Sequence, residues 1–524
     1  MAKRQDELAA YNFARKRTVA AFLAPSPGGS EEGAPRPMRT VTPSLALGVV
    51  LVIGFIAYGV IKPTAPAGWD KPGEYIIVDS DSTTRYVVIN DKTSSGKKVA
   101  TLHPVLNYAS AKLLLDKGKG SVLEVPGSEI DKSSIPHGAT IGIPYAPDRL
   151  PSASDAEKAK TWAVCERPAP GGTADAIDRA VFVLDAADAK TLDNSGKVNS
   201  GQVLYVKDSK TGARYLVDSK GNRFLLGGKD LGPTTMAQLL SAVIGQSADP
   251  QPVSQEWLAT LNDAGAITFP TVTGAGSTTL AKGLPAGATT VGQVLESEDA
   301  AGKQYWVVLK DKVASITPFV AELLKQSPQA QAAAAKVPQN VIIAANGGSA
   351  ERFYGGKDWP KDVPHQANPA TTATGQPRTT SCSVYNGAFG ADKKPQLAAW
   401  AGTTYPKKVV SDSVSAYVSS GSGLLFKELT GVAGGGGAQY LLTDTGLRYS
   451  LPSNNDSQAK GSGSGSSASS SDGSSQNASE TDKARTRLGY GDITNIALVP
   501  QTWATFIPKG PTLDTGSASQ EQSQ

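Results

Sequence analysis

Hydrophobic and polar positions change period along this chain, and the changes mark its elements. From Thr40 to Ile61 no charged residue occurs, and 45–61 reads LALGVVLVIGFIAYGVI. At 1.5 Å per helical residue this stretch reaches roughly 33 Å, enough to cross a hydrocarbon core. Arg39 closes one end and Lys62-Pro63 the other, with Tyr58 and Trp69 where an interface would lie. Before it, Asp6–Leu23 (DELAAYNFARKRTVAAFL) lacks Pro and Gly. Its acidic residues come first and Arg15-Lys16-Arg17 later, the order a helix dipole favours. Leu8, Tyr11, Val19 and Phe22 can share one face, which predicts an amphipathic helix, and the Pro/Gly/Ser-rich stretch 24–37 reads as a linker.

Beyond residue 62 the pattern turns to alternation broken by polar turns, and it recurs four times. The copies are YIIVDSDSTTRYVVIN (75–90) with LHPVLNYASAKLLL (102–115), and VLYVKDSKTGARYLVDSKGNRFLL (203–226) with GPTTMAQLLSAVIG (232–245). The others are VGQVLESEDAAGKQYWVVLKDKVASI (291–316) with TPFVAELLKQ (317–326), and AQYLLTDTGLRYSLPSN (438–454) with DKARTRLGYG (482–491). Each reads strand, turn, strand, helix, with Pro104 and Pro318 suited to first helical turns. The pairs Arg85-Tyr86, Arg214-Tyr215, Tyr305-Trp306 and Arg448-Tyr449 predict aromatics packed on each copy's own helix rather than ligand cages. The division expected is 1–39 helix and linker, 40–62 membrane helix, 63–120 repeat 1, 121–198 core, 199–246 repeat 2 and 247–288 linker or core. There follow 289–328 repeat 3, 329–436 core, 437–495 repeat 4 and 496–524 C-terminal segment. A Ser/Gly-rich insertion (457–480) interrupts repeat 4, and Thr512–Gln524 reads as a polar, disordered tail.

Positive charge orients the span. Residues 1–39 carry Lys3, Arg4, Arg15, Lys16, Arg17, Arg36 and Arg39, whereas the region just after the span carries chiefly Lys62 and Lys71. Positive residues stay inside, so the N-terminus is cytoplasmic and 63–524 outside. Ala65-Pro66-Ala67 resembles a signal cleavage site, but 39 preceding residues and the long apolar run favour an uncleaved anchor. Net charge is +4, with 55 Gly and 34 Pro in 524 residues. That composition excludes coiled coils and bundles, and it shows no basic stripe for nucleic acid outside the first 39 residues. Three histidines and two cysteines nearly exclude a Cys/His zinc site.

Cys165 and Cys382 lie outside the membrane, each between repeats, where a disulfide would make the inter-repeat segments one discontinuous unit. The rival, a nucleophilic Cys with a His, lacks a partner beside Thr161–Cys165. No G-x-x-x-x-G-K-[ST] string occurs. Ser94-Ser95-Gly96-Lys97 and Lys210-Thr211-Gly212 match two serine acyl-enzyme strings, but both fall in hairpin turns. Asp79 and Asp81 begin a calcium loop that lacks its Gly and final Glu. His103, His137 and His365 sit beside Pro or Gly, where turn or local hydrogen-bonding roles are expected. These readings assign no catalytic, cofactor-binding or metal-binding residue.

Particular strings resemble the EccB family, the bitopic membrane component of type VII (ESX-type) secretion. They are Tyr11-Asn12-Phe13 with Arg17 and Ala20, and Leu102-His103-Pro104-Val105-Leu106-Asn107 with Ser110-Ala111 and Leu113. Further matches are Gly142–Pro147, Trp162–Cys165, Gly446–Tyr449 with Leu451-Pro452, and Leu488-Gly489-Tyr490. The resemblance implies an α+β, single-pass membrane protein. Its elongated outer domain would hold four strand-strand-helix repeats around a discontinuous, disulfide-linked core. The resemblance also implies self-association and partnership with the motor ATPase EccC and with EccD and EccE. On that reading Tyr11, Phe13, Arg17 and Phe22 contact a cytoplasmic partner, and the chain is a scaffold, not an enzyme. The alternative is an extracytoplasmic nucleotide or cell-wall hydrolase, or a cell-wall-binding protein.

Overall fold

The computed structural model describes residues 4–23, 38–61, 65–171, 176–228, 231–245, 248–300, 302–330, 332–346, 351–370, 376–409, 415–430, 437–452 and 479–522. The linker 24–37 and all but the last two positions of the Ser/Gly-rich insertion lie outside the described residues. The chain divides into two compact units, one of Met1–Trp69, Asp79–Ser82 and Leu123–Ser133, the other of the remainder.

In the first unit, α1 (Arg4–Leu23) and α2 (Met38–Ile61) are the long helices. Within α2, Val41–Gly59 is long and apolar enough to cross a membrane, and none of it is buried. Pro43 is the sixth residue of α2, where its missing amide removes one intrahelical bond.

After the span one strand path recurs. β1 (Tyr75–Asp79), β2 (Arg85–Lys92), β3 (Lys98–Val105) and β4 (Ser121–Val125) form a sheet in the order β3-β2-β1-β4. β12 (Val294–Asp299), β13 (Gly302–Val308), β14 (Val313–Ile316) and β15 (Ala335–Lys336) repeat that order as β14-β13-β12-β15. β20 (Leu424–Leu429), β21 (Gln439–Leu442), β22 (Arg448–Leu451) and β23 (Ala497–Pro500) repeat it as β22-β21-β20-β23. β7 (Gln202–Asp208), β8 (Arg214–Val217), β9 (Asn222–Leu226) and β10 (Gln251–Val253) follow the same path, extended by β11 (Asn262–Ile267) on β9 and β16 (His365–Gln366) on β7. Three antiparallel strands form each meander, a helix follows, and β10, β15 and β23 return parallel to the first strand of theirs.

The outer edge of each third strand is covered. β9 pairs with β11; β3 is bridged by His137 and Ile141, β14 by Arg352 and β22 by Lys509, all in parallel. Such cover removes the exposed backbone groups through which bare edges aggregate.

The unit is therefore strand-strand-strand-helix-strand, one strand longer on each side of the helix than the sequence pattern indicates. In the first repeat the third strand, β3, is read as helix start because Pro104 suits a first helical turn, and in the fourth the first strand, β20, lies outside the recognised pattern. Pro104 lies in β3, not in a helix; α3 (Tyr108–Leu114) starts after Asn107, whose side chain accepts from the Ser110 amide. The returning strands β4, β10 and β15 fall inside segments expected to be core or linker, and β20 opens the fourth meander before residue 437. Pro318 does start its helix, α5 (Pro318–Lys325), capped by Thr317; α4 is Pro233–Val243 and α6 Glu480–Arg487. The tail also differs: Leu513 and Ala518 are fully buried and Thr515–Ala518 is a helical turn capped by Asp514. These two apolar residues, with backbone hydrogen bonds to β22 and to Thr140, dock a segment whose composition alone reads as disordered.

Between these sheets lies a fifth, ordered β18-β17-β5-β6-β19, from β5 (Thr161–Pro168), β6 (Ile177–Leu184), β17 (Thr380–Phe389), β18 (Pro395–Gly402) and β19 (Ser415–Val418). Its strands come from chain segments about 200 residues apart. The buried clusters form a series. Ala109 and Leu113 of α3 share one with Tyr449, Leu451, Ala484 and Leu488 of the fourth meander. Trp162, Val164 and Tyr385 of the fifth sheet share another with Phe426 and Trp503 on one side and Leu204, Val206 and Trp257 on the other. Leu239 and Val243 of α4 pack with Phe319 and Leu323 of α5. Packing thus runs first meander, fourth meander, fifth sheet, second meander, third meander, which is not chain order.

Candidate functional site

The fifth sheet carries the molecule's one covalent cross-link among the described residues. β5 reads TWAVCERP, and strand alternation sends Trp162 and Val164 to one face, Ala163 and Cys165 to the other. β17 pairs antiparallel to it, placing Cys382 opposite Cys165 with Cα atoms 4.0 Å apart, and the two form a disulfide. Both are fully buried, in a cluster with Ala180, Phe182, Leu184, Leu192, Val384 and Trp400. Neither is a free thiol, which excludes the nucleophile reading.

A buried polar network adjoins the cross-link and ties the sheet to the second meander. Glu166, next to Cys165 and fully buried, accepts from Arg179 Nε (2.7 Å), Ser254 Oγ (2.6 Å) and the Ser254 amide (2.7 Å). Ser381, next to Cys382, donates to Gln251 Oε1 (2.6 Å), and Gln251 donates to the Glu166 carbonyl (2.9 Å). Asn368 donates to Ser381 Oγ and the Tyr205 carbonyl and accepts from the Tyr205 amide. Every member has a partner, the condition under which a buried network fixes geometry rather than weakening it. The sequence reading missed these residues. The available signal was Glu166 itself, a carboxylate directly after the apolar run Trp162–Cys165 of β5.

Two further aspartates act as joints. At Asp155 burial would raise the carboxyl pKa, but hydrogen bonds from Lys160, the Gly423 amide and Ser422 outweigh it and hold it below the ordinary value. This ties the segment before β5 to the turn before β20. Asp188 is likewise held low, by Lys407 first and then Ser419 and Tyr417, pinning the cover over the disulfide cluster to β19.

The remaining candidates resolve into structural roles. Ser94–Lys97 is the β2–β3 turn and Lys210–Gly212 the β7–β8 turn, where Asp208 accepts from the Lys210 amide and Thr211 Oγ1. Asp79 accepts from the Asp81 amide and Ser82 Oγ, a local turn. His103 is buried, with Nε2 2.8 Å from Asp91 Oδ2 and Nδ1 2.8 Å from the Ala139 carbonyl. Gly138 is required beside it, since a Cβ there would meet the His103 ring at 2.2 Å. His137 packs edge-on to Tyr86, and His365 sits in β16. Of the aromatic pairs, Tyr449 joins its own helix through Ala484 and Leu488, whereas Tyr215 packs toward the fifth sheet and Tyr86 against His137. Among the described residues no three His, Cys, Asp or Glu side chains converge as a metal site. An open cleft of about 300 Å³ is lined by Glu296, Ser297, Glu298, Lys303, Lys336, Val337 and Pro338. It holds no nucleophile–base pair.

On α1, Tyr11, Phe13 and Phe22 are exposed. At 100° per residue Tyr11 and Phe22 lie about 20° apart around the helix, whereas Phe13 lies about 200° from Tyr11 and near Arg17. The four candidate contact residues thus occupy two opposite faces.

A family model described as "Type VII secretion system ESX-1, transport TM domain B" matches residues 2–524. The chain belongs to the EccB family of type VII secretion. Curated relatives include the ESX-3 secretion system ATPase EccB3 of Mycobacterium tuberculosis, 26% identical over 92% of this chain and 83% of that protein. The ESX-5 secretion system ATPase EccB5 of Mycobacterium marinum is 29% identical over 61% of this chain. That match and the one to EccB1 of M. tuberculosis span 58% and 60% of those relatives' own lengths. Among solved structures, a chain of an intact ESX-5 inner membrane complex superposes with a TM-score of 0.59 at 20% identity, covering 100% of this chain and 96% of that one. A chain of an EccB3 dimer from an ESX-3 core complex gives 0.57 at 21% identity, covering 85% and 99%. The EccB fold is therefore shared.

Proposed function

We propose that this chain is a non-enzymatic structural component of a type VII secretion inner-membrane complex. The observation that carries the reading is the family match along essentially the whole chain. The site supports it: the elaborated part of the outer region is a cross-linked sheet with a satisfied polar network, and that arrangement holds segments together without presenting a reactive group. In this reading α2 is the anchor, the N-terminus is cytoplasmic, and 63–524 form an elongated outer domain of four repeats around the disulfide-linked core. Copies of the chain associate with one another, and EccC, EccD and EccE are the partners, with EccC supplying ATP-driven force. The relatives' ATPase names are not carried over, because the chain contains no G-x-x-x-x-G-K-[ST] loop.

Deleting the gene tests the reading. Export through the matching ESX system should stop and return when the full chain is supplied. Normal export without the chain contradicts it, as does ATP turnover that co-purifies with the chain and disappears on a point substitution.

A further inference from the structure

The segment 509–522 lies across two meanders. On the fourth, Arg448 and Lys509 bridge in parallel, the Gly510 amide donates to the Arg448 carbonyl (2.9 Å), and the Leu513 amide donates to the Ser450 carbonyl (2.9 Å). Glu480 at the start of α6 then accepts from the Thr515 amide (2.9 Å) and Thr515 Oγ1 (2.6 Å). On the first meander's side, the Gly142 amide donates to the Gln520 carbonyl (3.3 Å) and the Gln522 amide to the Thr140 carbonyl (2.9 Å). Gln522 Nε2 donates to the Gly142 carbonyl (2.8 Å), and Ile141 and Glu521 form an antiparallel bridge. Leu513 and Ala518 fill the cluster shared by α3 and the fourth meander, and neither enters the clusters on the two faces of the fifth sheet.

The turn gripped by this segment is held from its other side too. Asn107 donates to the Ile143 carbonyl (2.7 Å), the Ile143 amide donates to Ser110 Oγ (2.9 Å), and the Ala109 amide donates to the Pro147 carbonyl (3.1 Å). Between these fixed points Tyr145 adopts φ +62°, a left-handed conformation costly for a residue with a Cβ, and its ring is 90% exposed. Tyr354 is also left-handed, but its ring contacts Phe353 and Trp359 and its hydroxyl accepts from the Thr271 amide. No such contact explains Tyr145 among the described residues. Its conformation follows from pinned neighbours, and a strained conformation persists only while its surroundings over-determine it.

We infer that residues 509–522 are a clasp. Closed, it braces the first meander on the fourth and holds the 140–142 end of the Tyr145 turn. Open, it loosens the 136–147 side of the first meander, the one that follows the anchor in sequence, while the disulfide-linked sheet stays folded. The clasp thus reinforces the contact that α3 makes directly with β22 and α6.

Hydrogen exchange on the full chain in lipid nanodiscs tests this, compared with a chain ended after Lys509 and with Leu513→Asp. Both variants should exchange the 136–147 amides at least roughly tenfold faster. Chymotrypsin should cleave after Tyr145, and exchange in β5 and β17 should stay at the wild-type rate. A synthetic 510–522 peptide added to the truncated chain should restore protection. Unchanged exchange at 136–147 in either variant overturns the clasp. Equal loosening of β5 and β17 overturns it too, because the segment would then belong to one global core.

Discussion

Cys382 lies directly opposite Cys165 across the antiparallel pair β17–β5, although 217 positions separate them in sequence. Everything from the second meander through the third is looped out between these two residues. The cross-link therefore closes the segment that contains half of the outer architecture.

Replacing both cysteines by serine is expected to lower stability markedly. In the chain-entropy picture a loop this long is worth on the order of 5 kcal/mol, and measured values often fall below that. The check is the midpoint of thermal unfolding for wild type and variant, with peptide mapping under non-reducing conditions to show the cross-linked pair. An unchanged midpoint contradicts the expectation.

Glu166→Leu should destabilise more than Glu166→Gln. Leucine leaves the Ser254 amide, the Ser254 hydroxyl and Arg179 without their acceptor in a buried setting, a loss of about 3–5 kcal/mol by analogy with broken buried pairs. Glutamine keeps an acceptor oxygen in place. Denaturant titration of the two variants checks the order.

Acid should loosen the joint at Asp155. Its carboxyl is held below the ordinary value, so its contribution is present above about pH 4 and is lost as pH falls through the lower folded value. Asp155→Asn should flatten the acid limb of stability against pH while costing stability at pH 7. An acid limb identical to wild type contradicts this assignment.

The two faces of α1 make separable predictions. If a protein groove receives the Tyr11/Phe22 face, Tyr11→Ala with Phe22→Ala should cut partner recovery and secretion severalfold, with membrane insertion intact. Phe13→Ala alone should then do little. If lipid charge dominates, replacing Arg15, Lys16 and Arg17 by Gln should do more than either. Pull-down and secretion assays on the same strains decide between them.

The sequence was most legible where a pattern was long and chemically simple. The charge-free run at 40–61 and the Pro-free stretch at 6–23 correspond to α2 and α1 because helical period and length leave little choice. The hairpins showed through alternation and turns. The returning strands did not: β15 is two residues and β10 three, and only their neighbours make them strands. Leu513 and Ala518 were hidden for the same reason, since their burial depends on a surface built from α3 and β22. The Glu166 network escaped because its partners are scattered from Arg179 to Ser381, and no local spacing announces them.

The most direct test of the structural role is affinity purification of the tagged full chain from detergent-solubilised membranes, with the recovered proteins identified by mass spectrometry. The account predicts a stable high-mass assembly containing EccC, EccD and EccE of the same system together with further copies of this chain. Recovery of the chain alone, under conditions that keep the other three together, would contradict it.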